Sequence, residues 1–349
     1  MNPEIWSIVG EKAALSGALI GFALVVAMYS TWAERKVAAY IQDRRGPDRA
    51  GWGGLLQPLA DGGKLFFKEE ITPRHADKFL FILGPTIAMI LACMTGAVIP
   101  WSTEFQWGDT IVNPLIADIN IGFLYILGVL SLGVYGIMLG SWASNSKWSL
   151  MGGLRAVSQI ISYELPLGIA LLTVLMITGS LRLDHIVEQQ IDGYWNIILQ
   201  PVGFIIFLVC TFAETNRTPF DLPEAENELI GGYHSEYSSM KLGFFLFAEY
   251  VNIFISSAIL ATLYFGGYDI PFVNDASLTE SIGMNAMAIL HFVVFFIKIC
   301  MFIFLFMWVR WTLPRFRYDQ LMDLGWKKLL PLSLVNLLIT GLVILYFFN

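Results

Sequence analysis

Three ionisable side chains stand in stretches of sequence otherwise suited to lipid: Glu164, Glu249 and Lys298. A charged side chain inside a bilayer costs roughly 2.5–3.5 kcal/mol on insertion scales, so such residues are kept where they are paired or functional. Glu249, Asn252 and Ser256 recur at i, i+3 and i+7, which gives one helix face a polar stripe. His291 and Lys298 are seven residues apart and share a face of another stretch, and Glu164 lies two residues before Pro166. A proline inside a helix frees a backbone carbonyl in the turn before it. Glu34 and Glu214 stand at the ends of two further apolar stretches. A single buried charge is usually a satisfied group that fixes helix packing. Three charged spans, with acids at the ends of two more, favour a polar path through the bundle. A desolvated carboxyl holds its proton more tightly, and the chemistry of such a path is proton uptake and release.

A second acidic group follows Glu214. Asp221, Glu224, Glu226, Glu228 and Glu236 are accompanied only by Arg217 and Lys241. The flanking Thr218-Pro219-Phe220 and Leu222-Pro223 are rigid and apolar, so the segment reads as a charged surface facing a cavity or partner, not as a solvated loop. Further upstream, Leu56, Leu59, Ala60, Gly63, Phe66 and Phe67 share one helical face, with Gln57, Asp61, Lys64 and Lys68 opposite. Such a helix lies along a membrane surface. It is either an interfacial anchor or the lip of an apolar cavity.

The elements that must position these residues are transmembrane helices. Of 349 residues, 56% are hydrophobic and 14% charged, against about 25% charged in soluble chains. A span needs about 20 apolar residues, and eight stretches qualify, near 13–33, 79–101, 120–142, 156–180, 194–213, 242–267, 285–309 and 329–348. The expected fold is an all-α, polytopic, single transmembrane domain with an amphipathic interfacial helix. The first stretch is no signal peptide, because Glu4 and Glu11 precede it and Glu34-Arg35-Lys36 follows. Eighteen of the 21 Lys and Arg residues fall in the loops after the first, third, fifth and seventh stretches. This asymmetry places those loops in the cytoplasm and both termini on the other side.

Composition also excludes functions. The three cysteines fall in separate spans without a CxxC pair, so no iron–sulfur or zinc site is expected. Neither GxGxxG nor GxxxxGK[ST] is present, and a net charge of −7 does not suggest nucleic acid. Asn216-Arg217-Thr218 matches a glycosylation acceptor but falls in a loop expected to be cytoplasmic.

Several runs of sequence resemble one family. They are Ala33-Glu34-Arg35-Lys36-Val37-Ala38-Ala39-Tyr40-Ile41-Gln42 and Leu56-Gln57-Pro58-Leu59-Ala60-Asp61-Gly62-Gly63-Lys64, with Arg45-Gly46-Pro47 between. They continue with Ser158-Gln159-Ile160-Ile161-Ser162-Tyr163-Glu164 and with Glu214-Thr215-Asn216-Arg217-Thr218-Pro219-Phe220-Asp221-Leu222-Pro223-Glu224. Tyr233-His234-Ser235-Glu236-Tyr237, Ala248-Glu249-Tyr250 and Arg310-Trp311-Thr312-Leu313-Pro314-Arg315 agree as well. The family is the H subunit of bacterial NADH-quinone oxidoreductase, respiratory complex I, the counterpart of mitochondrial subunit 1. The resemblance covers nearly the whole chain; the loops at 101–118 and 267–283 match none of its motifs.

The resemblance implies an inner-membrane subunit that admits a lipid quinone from the bilayer and links its reduction to proton translocation. NADH, FMN and iron–sulfur clusters would belong to partner subunits of the peripheral arm, and this chain would carry no redox centre. Arg35, Leu56, Leu59, Phe66, Phe67 and Phe220 are then expected along the quinone tunnel. Glu34, Glu164, Glu214, Glu224, Glu226, Glu228, Glu249 and Lys298 are expected along the proton path. The competing reading is a stand-alone proton-coupled secondary transporter using Glu249 and Lys298. It would favour an internal repeat, and the two halves show no convincing one.

Overall fold

The computed structural model describes residues 3–108, 110–271, 279 and 282–347, with the side chains of 3–8, 226, 227 and 347 excepted. The expected loop at 267–283 therefore falls partly outside the described residues. The first helix, α1 (Pro3–Ile41), runs unbroken for 39 residues, about 58 Å, and so projects well beyond a hydrocarbon core of about 30 Å. The amphipathic segment forms α2 (Gln57–Phe67), with Pro58 in its first turn, where a missing N–H costs nothing. Helix α3 (Lys78–Thr95) is capped by Asp77, whose carboxylate accepts from the Phe79 and Leu80 amides at 3.1 and 3.3 Å. A short antiparallel hairpin follows, β1 (Phe105–Trp107) on β2 (Thr110–Val112), with Phe105 opposite Val112.

Helices α4 (Gly122–Ala143) and α5 (Lys147–Thr178) are separated by three residues. Helix α5 passes through Pro166 without ending and stops at Gly179, which takes the left-handed conformation at φ 68°. Then come α6 (Leu183–Asp192), α7 (Asn196–Leu199), α8 (Pro201–Glu214), α9 (Glu226–Leu229), α10 (Ser239–Tyr264), α11 (Met284–Thr312), α12 (Tyr318–Asp323), a π-helical segment at Leu324–Leu329 and α13 (Leu330–Phe347). Helix α10 is central: 67% of its most apolar stretch is buried, against 17% for the first helix.

Seven of the described helices are long and apolar enough to cross a membrane. The stretch expected at 194–213 is the exception. It is broken at Gln200, which leaves α8 with 14 residues, about 21 Å. Charge counting does not register the cause, which is Pro201: the residue before a proline is driven out of the α region, and Gln200 sits at φ −133°, ψ 58°. The side chain of Gln200 donates to Thr340 Oγ1 at 2.8 Å and accepts from Asn336 at 3.1 Å. Those partners lie midway along α13, while Asn196, four residues before Gln200, donates to the Leu263 carbonyl at the end of α10 at 2.8 Å. The C-terminal end of α8 leads to Arg217 beside Glu34 at the opposite end of the bundle. Helices α7 and α8 together thus run between the two ends of the bundle, the first of which also carries the β1–β2 hairpin. We call these the hairpin end and the glutamate end.

Close helix approach fixes α3 against α4. A Cβ at Gly84 would come within 2.7 Å of the Gly140 Cα, and one at Gly136 within 2.9 Å of the Ala88 backbone nitrogen. Both obstacles are backbone and cannot move aside. Gly136→Leu is therefore expected to lower the yield of folded protein extracted from membranes, read by size-exclusion chromatography. Gly128→Leu, on the same helix with open space around it, is expected to leave that yield unchanged. Equal yields would mean that the α3–α4 contact is not needed for folding.

Candidate functional site

The site begins with Arg217. The chain leaving α8 turns inward through Asn216, in left-handed backbone at φ 51°, and buries the Arg217 guanidinium at the glutamate end. The return of this loop depends on Gly232. Its φ is 62°, and a Cβ there would collide with the Pro223 carbonyl. A cation taken out of water must be paired. Arg217 Nη1 donates to Glu34 Oε2 at 3.4 Å, Nε stands 2.6 Å from Glu249 Oε1, and the guanidinium lies over the Tyr250 ring at 4.3 Å. The Nε–H does not point along the Glu249 contact, so that pair is held by charge and not by an aligned hydrogen bond.

Glu34 is the more heavily bonded carboxylate. It also accepts from the Tyr250 hydroxyl at 2.9 Å and pairs with Arg310 Nη1 at 2.5 Å. The cluster joins two carboxyl groups and two guanidiniums, and α1, α10, α11 and the loop after α8 each contribute to it.

Beyond Glu249 lies a cavity of about 60 Å³, lined among others by Glu214, Asn216, Tyr233, Asn252 and Ser256. A water needs about 10–15 Å³ and several polar partners, so this space is large and polar enough for water. The face Glu249, Asn252, Ser256 read from spacing is indeed one wall. Glu214 lines this cavity and a smaller one beside Thr211 and Ser256. Glu164 follows on α5, near enough to Glu214 for the two carboxyls to act on each other. The structure thus brings Glu34, Glu249, Glu214 and Glu164 into one succession.

The acids of the loop divide. Glu224 Oε1 accepts from the Tyr233 hydroxyl at 3.4 Å and lies 3.6 Å from His234 Nδ1. Glu228 is 60% exposed and pairs with Arg155 at 2.6 Å, so it stands at the surface, off the buried succession. The Glu226 side chain lies outside the described residues. Lys298 is also apart. Its ammonium donates to the carbonyls of Phe265, Gly267 and Asp269 at 2.7, 2.9 and 2.7 Å and lies 4.6 Å from the Trp195 ring centre. It holds the turn after α10 at the hairpin end, because that turn presents three carbonyls to one cation.

A cleft of about 320 Å³ opens between α1, α2, α10 and α11. Its walls include Met28, Leu65, Phe247 and Trp311 as well as Glu34, Arg35, Asp61 and Arg310. Arg35 lines this cleft, bonded to Asp61 at 2.7 Å. The apolar face of α2 turns away from it. Leu56, Leu59, Phe66 and Phe67 are 53–93% exposed on the far side of that helix, where lipid would cover them. The lip of the cleft is instead the side bearing Pro58, Asp61, Lys64 and Leu65. Phe220 is buried against Tyr163 and Phe316, each 5.4 Å away, and belongs to the core and not to the cleft. Sequence reading missed Arg310 and Tyr250 as site residues. The signal for Arg310 was an arginine closing a long apolar run within reach of the end of another.

Asp221, in the loop outside the spans, tests the electrostatics. Burial, reinforced by the charge of Glu224, pushes its carboxyl up to about 7. An ion pair with Arg315 at 2.7 Å acts the other way and is outweighed. Since the folded value exceeds the ordinary value of 3.8, this group's contribution to stability is complete below that pH and is lost as pH rises through about 7. The protonated carboxyl band in infrared spectra is expected to titrate near neutrality and to vanish in Asp221→Asn. Arg315→Gln is expected to move it to higher pH; a band that titrates near pH 4 would refute the assignment.

Residues 14–341 match the family model described as NADH dehydrogenase. The first of the NADH-quinone oxidoreductase H subunits of Cytophaga hutchinsonii is 60% identical over 337 residues, 97% of each chain. The corresponding H subunit of Flavobacterium johnsoniae is 58% identical over 96% of this chain and 95% of its own. An NADH-quinone oxidoreductase subunit 8 of Rhodothermus marinus is 48% identical over 95% of this chain and 97% of its own. The chain belongs to the NADH dehydrogenase family and, within it, to the H subunits of NADH-quinone oxidoreductase.

Proposed function

We propose that the cleft between α1, α2, α10 and α11 admits a lipid quinone and that the carboxylate succession behind it couples quinone reduction to proton movement. The observation that carries this reading is shared lining: Glu34 and Arg310 form part of the cleft wall and part of the buried ion cluster. A charge change in the cleft acts directly on Glu34. Reduction of a quinone to a quinol takes two electrons and two protons, with the electrons supplied by NADH, FMN and iron–sulfur clusters on partner subunits.

Negative charge arriving beside Glu34 and Arg310 competes for the guanidiniums. Arg217 sits between Glu34 and Glu249, so any change in its balance alters the charge compensation of Glu249. Glu249 then gains or yields a proton at the cavity it shares with Glu214, and Glu164 lies next in line. The chain sits in a bacterial inner membrane with the glutamate end toward the cytoplasm, where the Lys- and Arg-rich loops fall. The remaining contacts of this subunit are with other membrane-arm and peripheral-arm subunits and with lipid. Family membership speaks against a stand-alone transporter.

Two variants test this. Glu249→Gln keeps the size of the side chain and leaves Arg217 paired with Glu34. The complex is expected to assemble on a native gel, while coupled NADH:quinone reductase activity in membranes falls about tenfold, the scale of a coupling free energy of 1–2 kcal/mol. Unchanged rate and pumping would reduce Glu249 to a packing group. Leu65→Asp places charge inside the cleft and is expected to raise the apparent KM for a long-tailed quinone about tenfold or more, the worth of one buried leucine. Phe66→Asp, on the far side of α2, is expected to raise it less; the reverse order would move the quinone route to the other face.

A further inference from the structure

A cavity larger than the cleft lies far from the carboxylates, at the hairpin end. It is an apolar groove of about 570 Å³ between α1, the β1–β2 hairpin and the first turns of α11. Leu15, Leu19 and Phe22 form one wall, Ile289 and Phe292 the other, and Trp107 stands at the rim, 75% exposed. The hairpin is tied to α11 by a reciprocal pair. The Gln106 amide donates to Asn285 Oδ1 at 2.7 Å, and Asn285 Nδ2 donates to the Gln106 carbonyl at 3.0 Å. The groove is thus a built feature of the fold.

Its shape selects among apolar occupants. On α1 the groove extends from Leu15 to Phe22 and on α11 from Asn285 to Phe292, about 10 Å along each helix. A neighbouring transmembrane helix would need a seam along a hydrocarbon thickness of about 30 Å. A chain entering from the headgroup region and reaching toward the bilayer centre needs only the length present. The rim supplies the matching charge. Lys12 Nζ donates to the Asn113 and Leu115 carbonyls at 3.2 and 2.8 Å, on either side of groove-lining Pro114. Its carboxylate neighbour Glu11 stands 3.8 Å away. Arg182, the other basic residue of the loops at this end, is held by Asp118 and Asp184 at 2.8 and 2.6 Å. An ammonium bonded on both sides of groove-lining Pro114, with an exposed tryptophan at the rim, matches a phospholipid, with its phosphate at Lys12 and one acyl chain inside. We infer that this groove is a specific phospholipid site that seats one acyl chain between α1 and α11, with the headgroup phosphate at Lys12.

The test uses the assembled complex in vesicles of phosphatidylethanolamine and phosphatidylglycerol doped with phosphatidylglycerol carrying a photoreactive acyl chain. After irradiation, labelled peptides are mapped. Labelling of residues 15–22 and 285–292 is expected to exceed that of Leu334, Val335, Leu338, Ile339 and Leu342, the exposed face of α13. Ala18→Trp with Ile289→Trp, which fills the groove, is expected to cut the excess about tenfold. Lys12→Gln, a partly exposed change, is expected to cut it about threefold. Label spread evenly over α1, α11 and α13 in the wild type would reduce the groove to bulk lipid contact and overturn the proposal. Trp107→p-benzoylphenylalanine cross-linking to another subunit would give the groove a protein occupant and overturn it as well. The wild-type and Lys12→Gln measurements decide the matter even where the double tryptophan variant does not assemble.

Discussion

The buried guanidinium of Arg217 is the constraint on which the glutamate end depends. Removing a cation from water is tolerable only with opposing charge close by, and here that charge comes from two helices remote in sequence, through Glu34 and Glu249. Glu34 in turn needs Arg310 and the Tyr250 hydroxyl. One desolvated charge therefore binds α1, α10, α11 and the loop after α8 into a unit. The same bonds make the unit responsive. With two carboxyl groups and two guanidiniums in contact, a further charge at its edge acts first on Glu34 and Arg310, which also line the cleft.

The edge is the cleft beside α2. That helix has two jobs on two faces. Its large apolar side chains point away from the bundle toward what would be lipid, while Asp61, Lys64 and Leu65 turn toward Glu34, Arg35 and Arg310. An amphipathic helix whose polar face looks inward reverses the arrangement of a soluble protein. In a membrane protein the solvent outside is oil, and the polar side is retained where charge must be met. The apolar cavity at the hairpin end is lined by the same two helices, α1 and α11.

Much of the fold was legible in the sequence. Seven of the eight apolar runs became helices long enough to cross a membrane, the run at 194–213 being broken at Gln200; the spacing at Glu249, Asn252 and Ser256 gave one wall of the inner cavity, and alternating faces gave α2. The site was legible in part. Glu34, Glu164, Glu214, Glu249 and Arg35 stand out because charge beside or within apolar sequence is costly, and cost is visible residue by residue. Phe220 packs against Tyr163 and Phe316 and Lys298 reaches three carbonyls away from the carboxylates; residue type reveals depth but not the direction a side chain takes.

The sequence by itself determined which segments are apolar enough to leave water and which residues carry charge in with them, because transfer cost is a property of each side chain. Only the tertiary structure decided which charges meet. Arg217 chooses Glu34 and Glu249 across about 180 and 30 residues of chain, Lys298 finds three carbonyls at the far end, and the apolar face of α2 turns outward. Pairing depends on distance in space, and distance between remote segments is set by how helices pack.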